Sequence, residues 1–224
     1  MDHPSGSLAL IEFSRGFACL FWGLTLGLLL FTDALSVQVL QFVRFPSYLI
    51  GVAVAGWGLV LLSRAGMKGR LWRRHYRGMA LMLALVAYMA PFNVWAQRLP
   101  YVNYLFAHQM ALMLIVLLML LFANAMVADI AQRLGDMTLR MEARGCNAVL
   151  ALVLLLPALY AVVRTVHVAT ARGSSYYMEW LQVGLRFPRF VFILLFFPVT
   201  LTLACLWKAG QICMHRIVEM ADSG

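Results

Sequence analysis

The chain has 224 residues, of which 63% are hydrophobic and 12% charged, whereas soluble domains run at about 45–50% apolar and about 25% charged. A mean hydropathy of +0.84 excludes an ordinary water-soluble enzyme, because no soluble core could bury so much apolar surface. The formal net charge of +9 suits contact with anionic lipid headgroups.

Six stretches contain no Asp, Glu, Lys or Arg: residues 16–32, 45–63, 78–97, 99–128, 145–163 and 190–207. Each is near or above the roughly 20 apolar residues that a helix needs to cross a bilayer. The expected fold is therefore all-α: a polytopic transmembrane bundle of about six spans arranged as three hairpins. It forms a single integral-membrane domain over residues 1–224, with loops too short for a separate extramembrane domain.

At the start of the chain, Asp2 and His3 do not make a basic leader, and Glu12 and Arg15 interrupt the first apolar stretch. The first span is expected to be retained rather than cleaved. It carries Gly23 and Gly27 in the small-xxx-small pattern that lets helix backbones approach, and span two adds Gly51, Ala55, Gly56 and Gly58. These two spans are expected to pack tightly on each other or on a partner chain, which makes Gly23 and Gly27 candidate partner-binding residues.

Residues 33–43 place Leu35, Val39 and Phe42 at helical spacing, and residues 174–185 place Tyr177, Leu181, Gly184 and Leu185 on one side with Trp180 close by. Both read as short helices lying on the outer surface. Arg44-Phe45-Pro46, Arg98-Leu99-Pro100 and Arg186-Phe187-Pro188 each open an inward-going span. Proline suits a first helical turn, whose N–H would be unpaired anyway. Their unequal spacing favours convergent capping over a true repeat, though both readings stay open.

Between spans two and three, Arg64, Lys68, Arg70, Arg73, Arg74 and Arg77 form a dense basic cluster. Arg70, Arg73, Arg74 and Arg77 are candidate lipid-headgroup contacts. Trp72, His75 and Tyr76 interleave with them as in nucleic-acid binders, but an interfacial aromatic belt accounts for the same residues, and no nucleic-acid partner is expected. Twelve of the 18 basic residues fall on the side of the termini. By the positive-inside rule both termini are cytoplasmic, in a cell membrane, with a bacterial inner membrane favoured.

Span four is unusually long, since its uncharged run of 30 residues would measure about 45 Å as a helix. It is expected to continue into the cytoplasm with Ile130, Leu134, Met137 and Met141 along one apolar stripe, braced by Asp129–Arg133 and Asp136–Arg140 pairs and stopped at Gly145. Those four stripe residues are further candidates for partner binding. Pro91, Pro157 and Pro198 lie inside spans three, five and six as kinks.

Chemistry is sparse. Asn93 and Asn124 are the deepest polar side chains, and interhelical hydrogen bonds are their expected use. Cys19, Cys146, Cys205 and Cys213 fall in no outer loop, so no disulfide framework is implied. A metal set of Cys213, His215, Cys146 and His75 lacks zinc-site spacing. His108 and His167 lie at similar depth on consecutive spans, the arrangement that haem b ligation by two imidazoles requires. No Gly-x-Ser-x-Gly, P-loop or His-Glu-x-x-His is present. The leading functional expectation is a non-catalytic membrane subunit that anchors or scaffolds a larger assembly, with lipids and other membrane subunits as partners. A haem b and quinone-linked electron-transfer subunit is the alternative, followed by a small transporter or channel for an uncharged or lipidic substrate.

Overall fold

The computed structural model describes the backbone of residues 3–31, 47–67, 69–185 and 189–222, and the side chains of 8–30, 47–67, 69–184 and 196–220. The expected surface helix at 33–43 and the motifs at 44–46 and 186–188 lie outside the described residues. The helices are α1 (His3–Phe31), α2 (Leu49–Arg64), α3 (Arg70–Tyr88), α4 (Ala90–Arg98), α5 (Asn103–Leu134), α6 (Met137–Leu150), α7 (Leu156–Arg172), α8 (Tyr176–Leu185) and α9 (Arg189–Asp222), with a π-helical turn at Ala151–Leu155 joining α6 to α7. Among the described residues there is no strand.

Among the described residues, four helical segments are long and apolar enough to cross a membrane: Leu8–Leu30, Asn103–Leu134, Met137–Arg172 and Phe196–Met220. The pair α3 and α4, bent by 42°, makes a fifth if it counts as one span. Pro91 sits in the first turn of α4, where it has no N–H to give to the preceding helix, so the axis breaks at Met89. Helix α2 is apolar, but its 16 residues span only about 24 Å at 1.5 Å each.

Packing places α5 at the centre, with Leu112, Ala123, Met126, Val127, Ile130 and Ala131 buried. It touches α3, α4, α6, α8 and α9, while α1 lies between α2 and α9. The α1–α2 seam is closed by the predicted small residues. A Cβ on Gly51 would fall 2.5 Å from the carbonyl oxygen of Gly23, and one on Gly58 would fall 2.8 Å from that of Gly16. Only glycine at these positions permits such backbone contact.

The expected cytoplasmic extension of span four is corrected. Helix α5 ends at Leu134, Gly135 adopts the left-handed φ of 73°, and Asp136 caps α6 by accepting a hydrogen bond from the Leu139 N–H at 2.8 Å. A left-handed glycine followed by an Asp cap is a stop and a start in succession. The stripe is thereby divided: Ile130 and Leu134 close α5, whereas Met137 and Met141 open α6 and are exposed. Gly145, the expected stop, is an interior residue of α6. At Pro157 the chain widens into the π turn just upstream, which relieves the clash of the proline ring with the carbonyl four residues back.

Candidate functional site

Several polar side chains of this bundle hold helices together, while a small polar pocket lies between α7 and α8, lined by Arg164, Thr165, Arg172, Glu179 and Gln182. At the end of the bundle that carries the basic cluster, His75 Nδ1 on α3 donates to Asp129 Oδ2 on α5 at 2.8 Å. Asp129 thus ties α5 to a neighbouring helix. Lys208 Nζ on α9 donates to both carboxylate oxygens of Glu142 on α6 at 2.7 Å, and Ser14 Oγ on α1 donates to the Gly210 carbonyl on α9 at 3.1 Å. Deeper in, Asn124 Nδ2 donates to Thr202 Oγ1 at 2.9 Å, joining α5 to α9 as expected for a buried asparagine. Thr202 Oγ1 in turn donates to the Pro198 carbonyl at 3.0 Å.

The same accounting covers the candidate metal set. Cys146 and Cys205 lie with sulfurs 3.4 Å apart across α6 and α9, His75 is paired with Asp129, and His215 sits 3.3 Å from Glu219. Among the described residues no group of three or more His, Cys, Asp or Glu is arranged to hold a metal ion.

The two candidate haem ligands stand in unlike surroundings. His108 Nδ1 donates to the Tyr104 carbonyl at 2.8 Å. Phe92 stacks on that ring at 4.6 Å and Tyr104 meets it edge-on at 4.4 Å. His167 is exposed on α7, a helix that meets α5 only slightly and buries Thr165 and Ala169 instead. Of the partner-binding candidates, Gly23 and Gly27 lie against Ala55 and Gly51 within the chain. Arg70, Arg73, Arg74 and Arg77 are all exposed on the first two turns of α3. Trp72 between them is buried and meets Phe13 edge-on at 6.0 Å.

At the opposite end, α8 forms where the spacing predicted a surface helix and packs over the start of α5. Its Tyr177 meets Tyr101 and Phe106, and Trp180 meets Phe106. The Tyr176 N–H donates to Asn103 Oδ1 at 2.8 Å. Glu179 is buried there, accepting from Ser174 Oγ at 2.9 Å with Arg172 at 3.6 Å.

A feature that sequence reading missed is a cavity of about 260 Å3 between α1, α2, α3, α5 and α9, open on one side. Gly27, Gly51 and Ala55 line it together with Leu83, Val116 and Leu203. No periodicity could announce it, because a cavity is made by side chains that are absent. Comparison with protein-family models, curated proteins and solved structures returns no match to this chain.

Proposed function

We propose that the chain is a non-catalytic, multi-pass subunit of the cell membrane that anchors or scaffolds a larger assembly, and that the free side of α7 receives a transmembrane helix of another subunit. The observation that carries this reading is the uneven use of its apolar helices. In Leu8–Leu30 and Asn103–Leu134, 44% of the apolar stretch is buried within the chain, and in Phe196–Met220 39%, but in Met137–Arg172 only 17%. Leu152, Leu156, Leu159, Tyr160 and Val163 are left exposed. The pairing of polar groups between helices also supports a holding role over a catalytic one.

In the proposed topology α2 and the bent α3–α4 pair also cross, which makes six spans in three hairpins. The end bearing Arg64 to Arg77, Arg133 to Arg144 and Lys208 faces the cytoplasm together with both termini. Four exposed arginines at the N-terminus of α3 add to the partial positive charge of the helix dipole there. Anionic headgroups would relieve that repulsion.

A photocrosslinking amino acid at Leu159, Val163 or Val166 should join one defined membrane protein in the native membrane, while the same group at Leu81 on α3 joins lipid. Lipid adducts alone at all four positions would remove the scaffold reading. A cysteine placed at Arg70 should resist an impermeant reagent applied outside and one at Ser175 should react. The reverse pattern would invert the topology.

A further inference from the structure

We infer that the cavity between α1, α2, α3, α5 and α9 seats one hydrocarbon chain of a bilayer phospholipid, drawn from the leaflet opposite the basic cluster. This goes beyond the scaffold reading and shares only the membrane location with it.

Position gives the leaflet. The wall uses the last third of α1, the first half of α2, the final turns of α3, the middle of α5 and the early part of α9. These parts lie away from the ends of α2, α3 and α5 that carry Arg64, Arg70 and Arg133, and precede Lys208 in α9.

The nature of the wall gives the chemistry. It contains no charged residue, and Tyr48 is the one polar side chain in it. Water at such a site needs two to four polar partners, which this wall does not offer. The volume of about 260 Å3 exceeds the roughly 150 Å3 of an apolar cavity that accommodates benzene.

Collapse is blocked on one side. Gly27, Gly51 and Ala55 have no side chain to extend, and α1 and α2 already meet backbone to backbone, so neither can move inward. An empty void would forfeit dispersion contacts along its whole lining. Phe196, part of the wall, is 52% exposed, so the cavity reaches the surface of the bundle. In a membrane the medium at that opening is hydrocarbon.

The test uses the full chain in phosphatidylcholine vesicles doped with phosphatidylcholine that carries a diazirine on one acyl chain. After illumination, adducts are mapped by peptide mass spectrometry. Adducts should concentrate on residues 112–120 and 199–203 and saturate as the probe fraction rises. Those on Leu159 and Val163 of α7, which meet bulk lipid, should rise without saturating. Val116→Trp and Val199→Trp fill the cavity from two different helices. Each should cut the cavity adducts about tenfold, the equivalent of 1.4 kcal/mol, and leave the α7 adducts unchanged. Cavity labelling that never exceeds α7 labelling, or that persists in both folded variants, would overturn the inference. Neither result bears on whether α7 has a protein partner.

Discussion

The α1–α2 pair and the charge-free stretch 145–163 of the α6–α7 rod are both apolar, yet the first is the closest helix contact among the described residues and the apolar stretch of the second is the least buried of the candidate spans. Hydropathy does not separate them; side-chain size does. Along α1 and α2 the facing residues are Gly16, Gly23, Gly27, Gly51, Ala55 and Gly58, and backbone meets backbone. Along α7 the outward residues are Leu156, Leu159, Tyr160 and Val163. In hydrocarbon there is no water to expel, so helices associate through close packing and hydrogen bonds. A helix studded with large aliphatic side chains gains little by leaving lipid unless a partner fits it.

The comparison breaks first at the seam. Gly51→Leu must drive a side chain into the α1 backbone, and Gly23→Ala must drive one into Ala55, whose Cα would stand 2.8 Å from the new Cβ. Overpacking of this kind costs about 1–3 kcal/mol and sometimes more. Gly27→Ala meets nothing closer than 3.9 Å and should be nearly neutral. Thermal unfolding in mild detergent should rank Gly51→Leu as the worst, then Gly23→Ala, with Gly27→Ala close to the parent. Equal effects at Gly23 and Gly27 would mean that the seam is not built on this register.

The next effect lies at the join between the two regions. Gly135 has φ of 73°, so Gly135→Ala should cost about 1 kcal/mol through left-handed strain. Gly145 is helical with nothing within 4 Å of a Cβ, so Gly145→Ala should gain up to about 1 kcal/mol. Opposite signs in the same melting assay support a turn at Gly135. The reverse assignment would restore an uninterrupted helix from α5 into the cytoplasm.

Those two glycines also mark how far the sequence was legible. Charge-free runs disclosed that the chain is helical and apolar, the Gly23-to-Gly27 spacing disclosed a close-packed helix, and the isolation of Asn124 disclosed an interhelical bond. The turn was missed for a physical reason. Ile130, Leu134, Met137 and Met141 stay in helical phase across a break of two residues, and Asp136 to Arg140 mimics a helix-stabilising pair when Asp136 is in fact a cap. The cavity was illegible because it depends on where five helices leave room. Its wall shares Gly27 and Gly51 with the seam, and nothing in their spacing distinguishes the two uses.

A smaller effect is expected from the Asn124–Thr202 bond. It is fully buried, but hydrogen bonds between membrane helices average only about 0.6 kcal/mol in double-mutant cycles. The cycle Asn124→Ala with Thr202→Ala should therefore yield a coupling of that order. A coupling near zero would assign the α5–α9 contact to packing alone.

The smallest effect on the isolated chain is expected at α7, and it is the one that decides what that helix is for. Leu159→Ala and Val163→Ala remove side chains that face away from the bundle, so the melting temperature of the purified chain should hold, with stability changes within about 0.5 kcal/mol. If a partner helix packs on this face, the same substitutions remove its contacts, and recovery of the crosslinked assembly should fall about fivefold or more, the yield expected from a loss of about 1 kcal/mol. Substituting Leu81 on α3, equally exposed but on a helix already packed against α5, should change neither quantity. Parallel loss of stability and assembly at α7 would show that the helix is held by its own bundle after all. Loss of assembly at unchanged stability is the signature of a surface reserved for another chain.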